Sequence, residues 1–414
     1  IVTSAIAMLV MAFYANRPFG LAPGLGLNAF FAITVVGILG VPWQTALAAI
    51  VVEGIVFIVL TAVGAREYVI KLFPEPVKFA VGTGIGLFLA IIGLQAMGIV
   101  VDDPATLVGL GSIASNPVAI LSVVGLFLTL ALYARNVPGS IVIGIVATSL
   151  AGYAAKALGY AAYSADTAAD VYGVTMAAPM SLAPDAPVVY DAASYNIAPL
   201  AGAFITGLQD VQGVSFALIV FTFFFVDFFD TAGTLTGVGQ VAGFLDEDGN
   251  LPDMDKPLMA DAIGTTVGGM LGTSTVTTYI ESATGVEEGG RTGLTALVVA
   301  ALFVASLAVV PLAVAVPTYA SHLVLVVVGI IMLANVSEIA WDDITYTVPA
   351  ALTILVMPFT FSIAYGLAAG IVSYPLVKAA VGEADEVHAG QWVLAALFVL
   401  YFFVRTGGIL SAAV

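Results

Sequence analysis

Asp227 and Asp230 stand three residues apart in FFFVDFFDTAGTLTG (223–237), a run dominated by phenylalanine. That spacing puts both carboxyls on one helical face. An ionised acid at the centre of a helix in hydrocarbon costs about 2.5–3.5 kcal/mol, so acids retained there are expected to bind or carry something. The bland alternative, that one of them caps or pairs within a bundle, suits Asp227 as well as a functional role does. A third acid, Glu281, lies in TSTVTTYIESATG (273–285), whose β-branched residues favour extended backbone. A carboxylate beside freed backbone N–H groups can grip a planar ligand that carries both N–H and C=O edges. Because burial disfavours the charged form of a carboxyl, such groups can also exchange protons near neutral pH. Asp261, in MADAIGTT, reads either as a hydrogen-bonding partner of these acids or as a helix-start acid. Glu53, in AAIVVEGIVF, is intramembrane and has no role that the sequence argues. Phe30, Phe31, Phe229 and Tyr279 offer rings for stacking, although each taken singly reads more readily as packing.

These residues need elements that cross a bilayer. Of 414 residues, 61% are hydrophobic and 9% charged, the composition of a polytopic membrane protein rather than a soluble domain. Apolar runs sufficient for helices of roughly 20 residues recur, as at 43–63, 118–134, 292–316 and 391–404. Further spans are expected near 2–15, 20–39, 78–100, 138–160, 213–240, 257–271, 320–336, 346–362 and 363–380. With a broken one at 272–286, the count is about thirteen spans and a terminal helix. GLAPGLGLNAFFAI (20–33) and GTSTVTTYIESATG (272–285) interrupt the helical pattern early in each half and look like counterparts. Unwound backbone at membrane depth is tolerated only where protein or a water-filled cavity satisfies its N–H and C=O groups. Paired interruptions of this kind point to a transporter site near the middle of the bilayer. Arg66, Lys71 and Lys78 are expected to share one cytoplasmic loop, with Arg135, Arg291 and Lys378 on the same side. The acidic stretches 101–117 and 161–212 then face outward.

Several function classes drop out. With no cysteine, disulfides, thiolate metal sites and cysteine nucleophiles are excluded. His322 opens an apolar run and His388 lies in an acidic loop, so no metal centre and no cofactor is expected. The excess of 27 acidic over 10 basic residues argues against a nucleic-acid partner. An intramembrane aspartyl protease would carry an acid in a GLGD-like string, and GLGLN (24–28) has none. An anion transporter would place positive charge at the site, the opposite of Asp230 with Glu281.

The strings ANRPFGLAPGLGLNAFFA, VDFFDTAGTLTGVG and GTSTVTTYIESATGVEEGGRTGLTA resemble the signatures of the AzgA-like purine permeases. These are a branch of the nucleobase:cation symporter-2, or nucleobase–ascorbate, family, and the likeness covers essentially the whole chain. The resemblance implies an all-α polytopic membrane protein with a 7+7 inverted-repeat transporter fold. Such a fold has core and gate domains, carries short strands in two broken spans and is often paired as a homodimer. The first repeat is then expected at 1–160 and an extracellular loop at 161–212. The second repeat follows at 213–380, with an acidic loop and apolar helix at 381–414. Ile1 falls in the family's second span, so the first is expected to be absent from this chain.

Carried over by motif, Asn28 with Gly26, Ala29 and Phe30 matches the third-span strand. Asp230 matches the eighth-span acid, Glu281 the tenth-span acid, with Thr278 and Ile280 beside it, and Asp261 a polar residue of the ninth. Asp230 is preferred to Asp227 because Gly239 and the distance to Glu281 then fall into register. The implied activity is proton-coupled uptake of adenine, guanine or hypoxanthine across the plasma membrane, with Asp230, Glu281 or Asp261 exchanging the proton. Sodium remains open as the coupling ion, and uracil or xanthine is the alternative substrate. Thr234 stands where the uracil branch has a histidine, which favours purines. No enzymatic activity is implied.

Overall fold

The computed structural model describes residues 1–406 apart from 25, 26, 29, 39, 104, 161–169, 172–173, 176–181, 184–194, 210–212 and 311–314. In chain order the first elements are α1 (Val2–Val10), which continues as a π-helical turn at Met11–Ala15, then β1 (Leu21–Pro23) and a π-helical stretch Phe30–Ile38. There follow α2 (Trp43–Ala62), α3 (Ala65–Lys71), α4 (Glu75–Ala96), β2 (Val100–Asp103), β3 (Leu107–Leu110), α5 (Pro117–Ala134) and α6 (Ser140–Ala157). Two short strands, β4 (Asp170–Val171) and β5 (Val174–Thr175), precede α7 (Ala203–Gln209), α8 (Gly213–Val241) and α9 (Asp255–Leu271). The remainder is β6 (Val276–Thr278), α10 (Ser282–Glu287), α11 (Gly293–Ser306), α12 (Thr318–Met332), α13 (Ile344–Thr360), α14 (Ile363–Val381) and α15 (Ala389–Thr406).

Six helices among the described residues are long and apolar enough to cross a membrane: α2, α4, α5, α6, α8 from Phe216 onward, and α14. Their ends follow from local chemistry. Asn116 caps α5 by accepting from the Val118 and Ala119 N–H groups, with Pro117 in the first turn where its missing N–H costs nothing. Asp343 caps α13 through the Thr345 N–H at 2.8 Å. Gly272, at φ +92°, closes α9 in the left-handed conformation that glycine adopts without strain. The chain then extends through threonine and valine into β6.

The chain divides into two compact units, one of residues 1–85, 195–307 and 332–414, the other of 86–194 and 308–331. Each takes pieces from both halves of the sequence. In the smaller unit, α5 and α6 pack through glycine and threonine: a Cβ on Gly125 would strike Thr148, and one on Gly144 would strike Thr129. Tyr319 of α12 donates to the Leu182 carbonyl at 2.9 Å within a cluster that includes Val118 and Ala320. The β2–β3 hairpin was not foreseen from sequence. Its turn is held by Asp103, whose Oδ1 accepts from the Ala105 and Thr106 N–H groups at 2.9 Å, and these donors hold the carboxyl below its ordinary value.

In the larger unit α2 and α9 meet almost backbone to backbone. A Cβ on Gly54 would lie 2.7 Å from the Thr266 nitrogen, and one on Gly269 would lie 3.1 Å from the Val51 nitrogen. Gly54→Ala is therefore expected to force the helices apart and cost about 1–3 kcal/mol, read as a lowered melting temperature in detergent. An unchanged melting temperature would contradict this packing.

The loop expected to hold Arg66, Lys71 and Lys78 is not a loop. Arg66 and Lys71 lie on α3 and Lys78 on α4, and Arg66 and Lys78 are only 1% and 5% exposed. The short helix α3 turns Arg66 inward to a carboxylate, and Lys78 donates to Asn250 Oδ1 at 2.6 Å.

Candidate functional site

The two broken stretches pair with each other. β1 and β6 run antiparallel, Leu21 opposite Thr278, Ala22 opposite Thr277 and Pro23 opposite Val276. The ladder extends at one end, where the Tyr279 N–H donates to the Gly20 carbonyl at 3.1 Å and the Gly20 N–H donates to Ser282 Oγ at 2.9 Å. At the other end the Gly24 N–H reaches the Thr275 carbonyl at 3.4 Å. Each unwound segment thus satisfies the backbone groups that the other frees, which is what permits both inside a membrane protein. Asn28 ties the junction. Its N–H donates to the Gly24 carbonyl at 2.8 Å, its Oδ1 accepts from Ser274 Oγ, and its Nδ2 reaches the Pro23 carbonyl at 3.4 Å.

Against this strand pair and α10 packs α8, which carries the acids. Asp230 Oδ2 lies 3.9 Å from where a Cβ on Gly24 would stand, and Thr277 Cγ2 lies 3.0 Å from the same point. The missing side chain at Gly24 is what lets the carboxyl come up to the strand end. Asp230 has no hydrogen-bond partner among the described residues. Thr278 Oγ1, on β6, is also buried without a partner. Ile280 is buried beside it, and Glu281 stands at the start of α10 without capping that helix. A half-buried carboxyl and a buried hydroxyl that no protein group satisfies are suited to hydrogen-bonding a solute.

The adjoining side of α8 is held by protein groups. Thr231 Oγ1 lies 2.7 Å from Thr277 Oγ1, 3.2 Å from Asp261 Oδ1 and 3.4 Å from Asp227 Oδ1. Asp261 Oδ2 pairs with Arg66 Nη2 at 3.2 Å, with neither side chain exposed, and Arg66 Nη1 donates to the Leu258 carbonyl at 3.1 Å. The guanidinium lies 3.9 Å from the Phe57 ring centroid. Asp261 is therefore a paired acid in the middle of α9, not a helix-start acid. Asp227 and Asp230, three residues apart, serve different surroundings.

Among the residues singled out from sequence, the structure brings Asn28, Asp230, Thr278, Ile280 and Glu281 to the strand pair or its flanks. Gly26 and Ala29 lie outside the described residues, as does the side chain of Phe30. Two of the aromatic candidates are engaged elsewhere. Phe229 stacks on Phe73 at 5.7 Å and packs on Phe398 at 4.3 Å, and Phe31 lies 6.2 Å from Phe223. Tyr279 covers Gly20, its Cε1 standing 2.8 Å from where a Cβ would be. Sequence reasoning missed Arg66, Thr231 and Thr277. The signal available for Arg66 was one of charge, since several acids inside apolar helices require a cation and few basic residues lie close to the spans.

The chain matches the Permease family profile over residues 1–369. With a Methanocaldococcus jannaschii chain it shares 45% identity, over 98% of this chain and 86% of that one. It is 37% identical to the guanine/hypoxanthine permease PbuG of Bacillus subtilis, over 96% of this chain and 84% of the relative. It is 38% identical to the adenine permease AdeP of Escherichia coli, over 96% and 82%. Its fold resembles that of SLC26A9, with a TM-score of 0.50 at 12% identity over 91% of this chain and 60% of the other. The helical architecture, broken by the β1–β6 pair, is the inverted-repeat transporter fold. The chain therefore belongs to the nucleobase:cation symporter-2 permease family and is a multi-pass membrane transporter rather than an enzyme.

Proposed function

We propose that the protein takes up purine bases across the plasma membrane in symport with protons, and that the base lies between the β1–β6 pair and Asp230. The observation that carries this is the unpartnered Asp230 carboxyl beside a strand pair whose Thr278 hydroxyl is likewise unpartnered. A purine offers ring N–H donors to a carboxylate and acceptor edges to hydroxyl and backbone groups, so both needs are met by one planar ligand. Glu281, at the start of α10, supplies the second carboxyl. The identities of PbuG and AdeP, permeases for guanine/hypoxanthine and adenine, support purines over other planar solutes. Proton coupling rests on the carboxyl-rich setting, since desolvated carboxyls can take up and release protons near neutral pH.

The test is uptake of radiolabelled adenine, guanine, hypoxanthine, xanthine and uracil into permease-deficient cells that express the full-length protein, with and without an uncoupler. One proton crossing 100 mV is worth about 2.3 kcal/mol, so a neutral purine is expected to accumulate up to about fifty-fold and to fall to equilibrium when the uncoupler is added. Accumulation of uracil or xanthine alone would redirect the substrate assignment. Purine accumulation that ignores the uncoupler but requires sodium would replace the proton.

A further inference from the structure

A donor shortage lies behind the strand pair. Glu53 on α2 is 0% exposed, and neither of its carboxyl oxygens has an N–H or O–H donor. Its carboxyl faces that of Asp227 on α8, also 0% exposed, whose Oδ2 likewise lacks a donor. The aromatic packing on both helices fixes this juxtaposition independently. Phe57, one turn beyond Glu53, packs on Phe224 at 4.9 Å and on Phe228 at 6.4 Å, the two rings that bracket Asp227 along its helix.

The charged groups that face the pair from the neighbouring elements are Asp261 on α9 and Arg66 on α3. The short helix α7, also packed on α2, presents no charged side chain. The Arg66 guanidinium gives one amino group to Asp261 and the other to the Leu258 carbonyl, and its buried Nε–H makes no hydrogen bond, so it serves neither Glu53 nor Asp227. Thr231 has one hydroxyl hydrogen, which serves only one of Asp227 and Asp261 at a time, and in its contact with Thr277 either hydroxyl can donate. Three dry carboxyls thus share a single cation, and the oxygens left unserved are those at which Glu53 and Asp227 meet. Two acceptor-only groups can be joined there only by a hydrogen that one of them carries.

We propose that Glu53 and Asp227 hold one transported proton between them, in a dry site separate from the groups that contact substrate. This rests on the proton-coupled reading above and moves the coupling site away from Asp230, Glu281 and Asp261. In the loaded state a proton from water is bound to one carboxylate oxygen, and the resulting O–H donates to the other carboxyl, joining α2 to α8. Return of that proton to water leaves two facing carboxylates, which repel across the same helix contact. α8 also carries Asp230, and Thr231 links it through Thr277 to β6. The loaded and unloaded states of the pair therefore differ in the position of the helix and strand that line the pocket. Glu53 and Asp227 are positioning residues in this scheme and make no contact with the purine.

The test uses full-length protein in liposomes, Glu53→Gln, and two readouts: accumulation of radiolabelled hypoxanthine or adenine driven by an imposed pH gradient, and exchange of labelled for unlabelled base without a gradient. Glutamine supplies Asp227 with a permanent N–H donor and so mimics the loaded pair. Exchange is expected to stay within about twofold of the parent, while gradient-driven accumulation falls by about tenfold or more and uptake becomes flat between about pH 5.5 and 8. Asp227→Asn, assayed in parallel in case one variant folds poorly, is expected to show the same split. Either variant accumulating purine as the parent does overturns the proposal. So does loss of exchange and accumulation together in a monodisperse variant, which would make the pair structural. Failure of the proton-coupled reading itself is seen separately, in a parent protein that exchanges purine but does not respond to the gradient.

Discussion

Arg66→Met is expected to be the most destabilising substitution in the molecule, costing about 3–5 kcal/mol through loss of one partner of a buried ion pair. Its guanidinium and the Asp261 carboxylate are 3.2 Å apart with neither side chain exposed, so water cannot take over for the missing partner. Removing the cation also leaves Glu53 and Asp227 beside a third uncompensated acid. Arg66→Lys is not a conservative control, because one ammonium cannot donate to Asp261 and to the Leu258 carbonyl in the same fork while lying over Phe57. The double variant Arg66→Met with Asp261→Asn is expected to recover much of the loss, since it removes the charge together with its partner. Melting in detergent, followed by tryptophan fluorescence or size-exclusion chromatography, measures all three. A single variant within about 1 kcal/mol of the parent would mean that the pair is replaced by solvent or by another cation.

Asp230→Asn is expected to have the opposite profile, with little change in stability and a large loss of function. The carboxyl has no hydrogen-bond partner among the described residues, so neutralising it breaks no protein contact. A charge-assisted hydrogen bond to a ligand is worth about 1.5–3 kcal/mol, which corresponds to a loss of purine affinity of about 10- to 100-fold. Equilibrium binding of labelled purine to the purified variant, alongside uptake in cells, measures this. Asp230→Asn that binds and transports as the parent does would remove Asp230 from the site.

Much of this arrangement was legible because membranes make polar residues conspicuous. Asp227, Asp230 and Glu281 stand out as carboxyls among phenylalanine and β-branched residues, and the glycine, proline and threonine runs mark where helices cannot continue. That the two interrupted stretches are counterparts could be read from their placement, and they do form one strand pair. Arg66 was hidden because a seven-residue helix with a mixed composition looks like a loop, and only the fold reveals that one face of α3 points into the bundle. Thr231 and Thr277 were hidden for a different reason: threonine occurs in apolar helices and strands without penalty, so its type says nothing of what its hydroxyl reaches. Phe229, which reads more readily as packing than as a stacking ring, does pack: proximity in sequence to Asp230 does not give it the same direction, and its ring turns to Phe73 and Phe398.

The strand pair also imposes an order on biosynthesis. Gly20 and Ser282, joined by a hydrogen bond, are 262 residues apart. At about 5–20 residues per second a ribosome needs roughly 13–50 s to make the second segment after the first has emerged. Through that interval β1 has no partner for its backbone groups and must be sheltered by the insertion machinery or by interfacial water. Chains that stop short of Val276 keep this unfinished edge for good, with the backbone groups of β1 left unpaired at membrane depth.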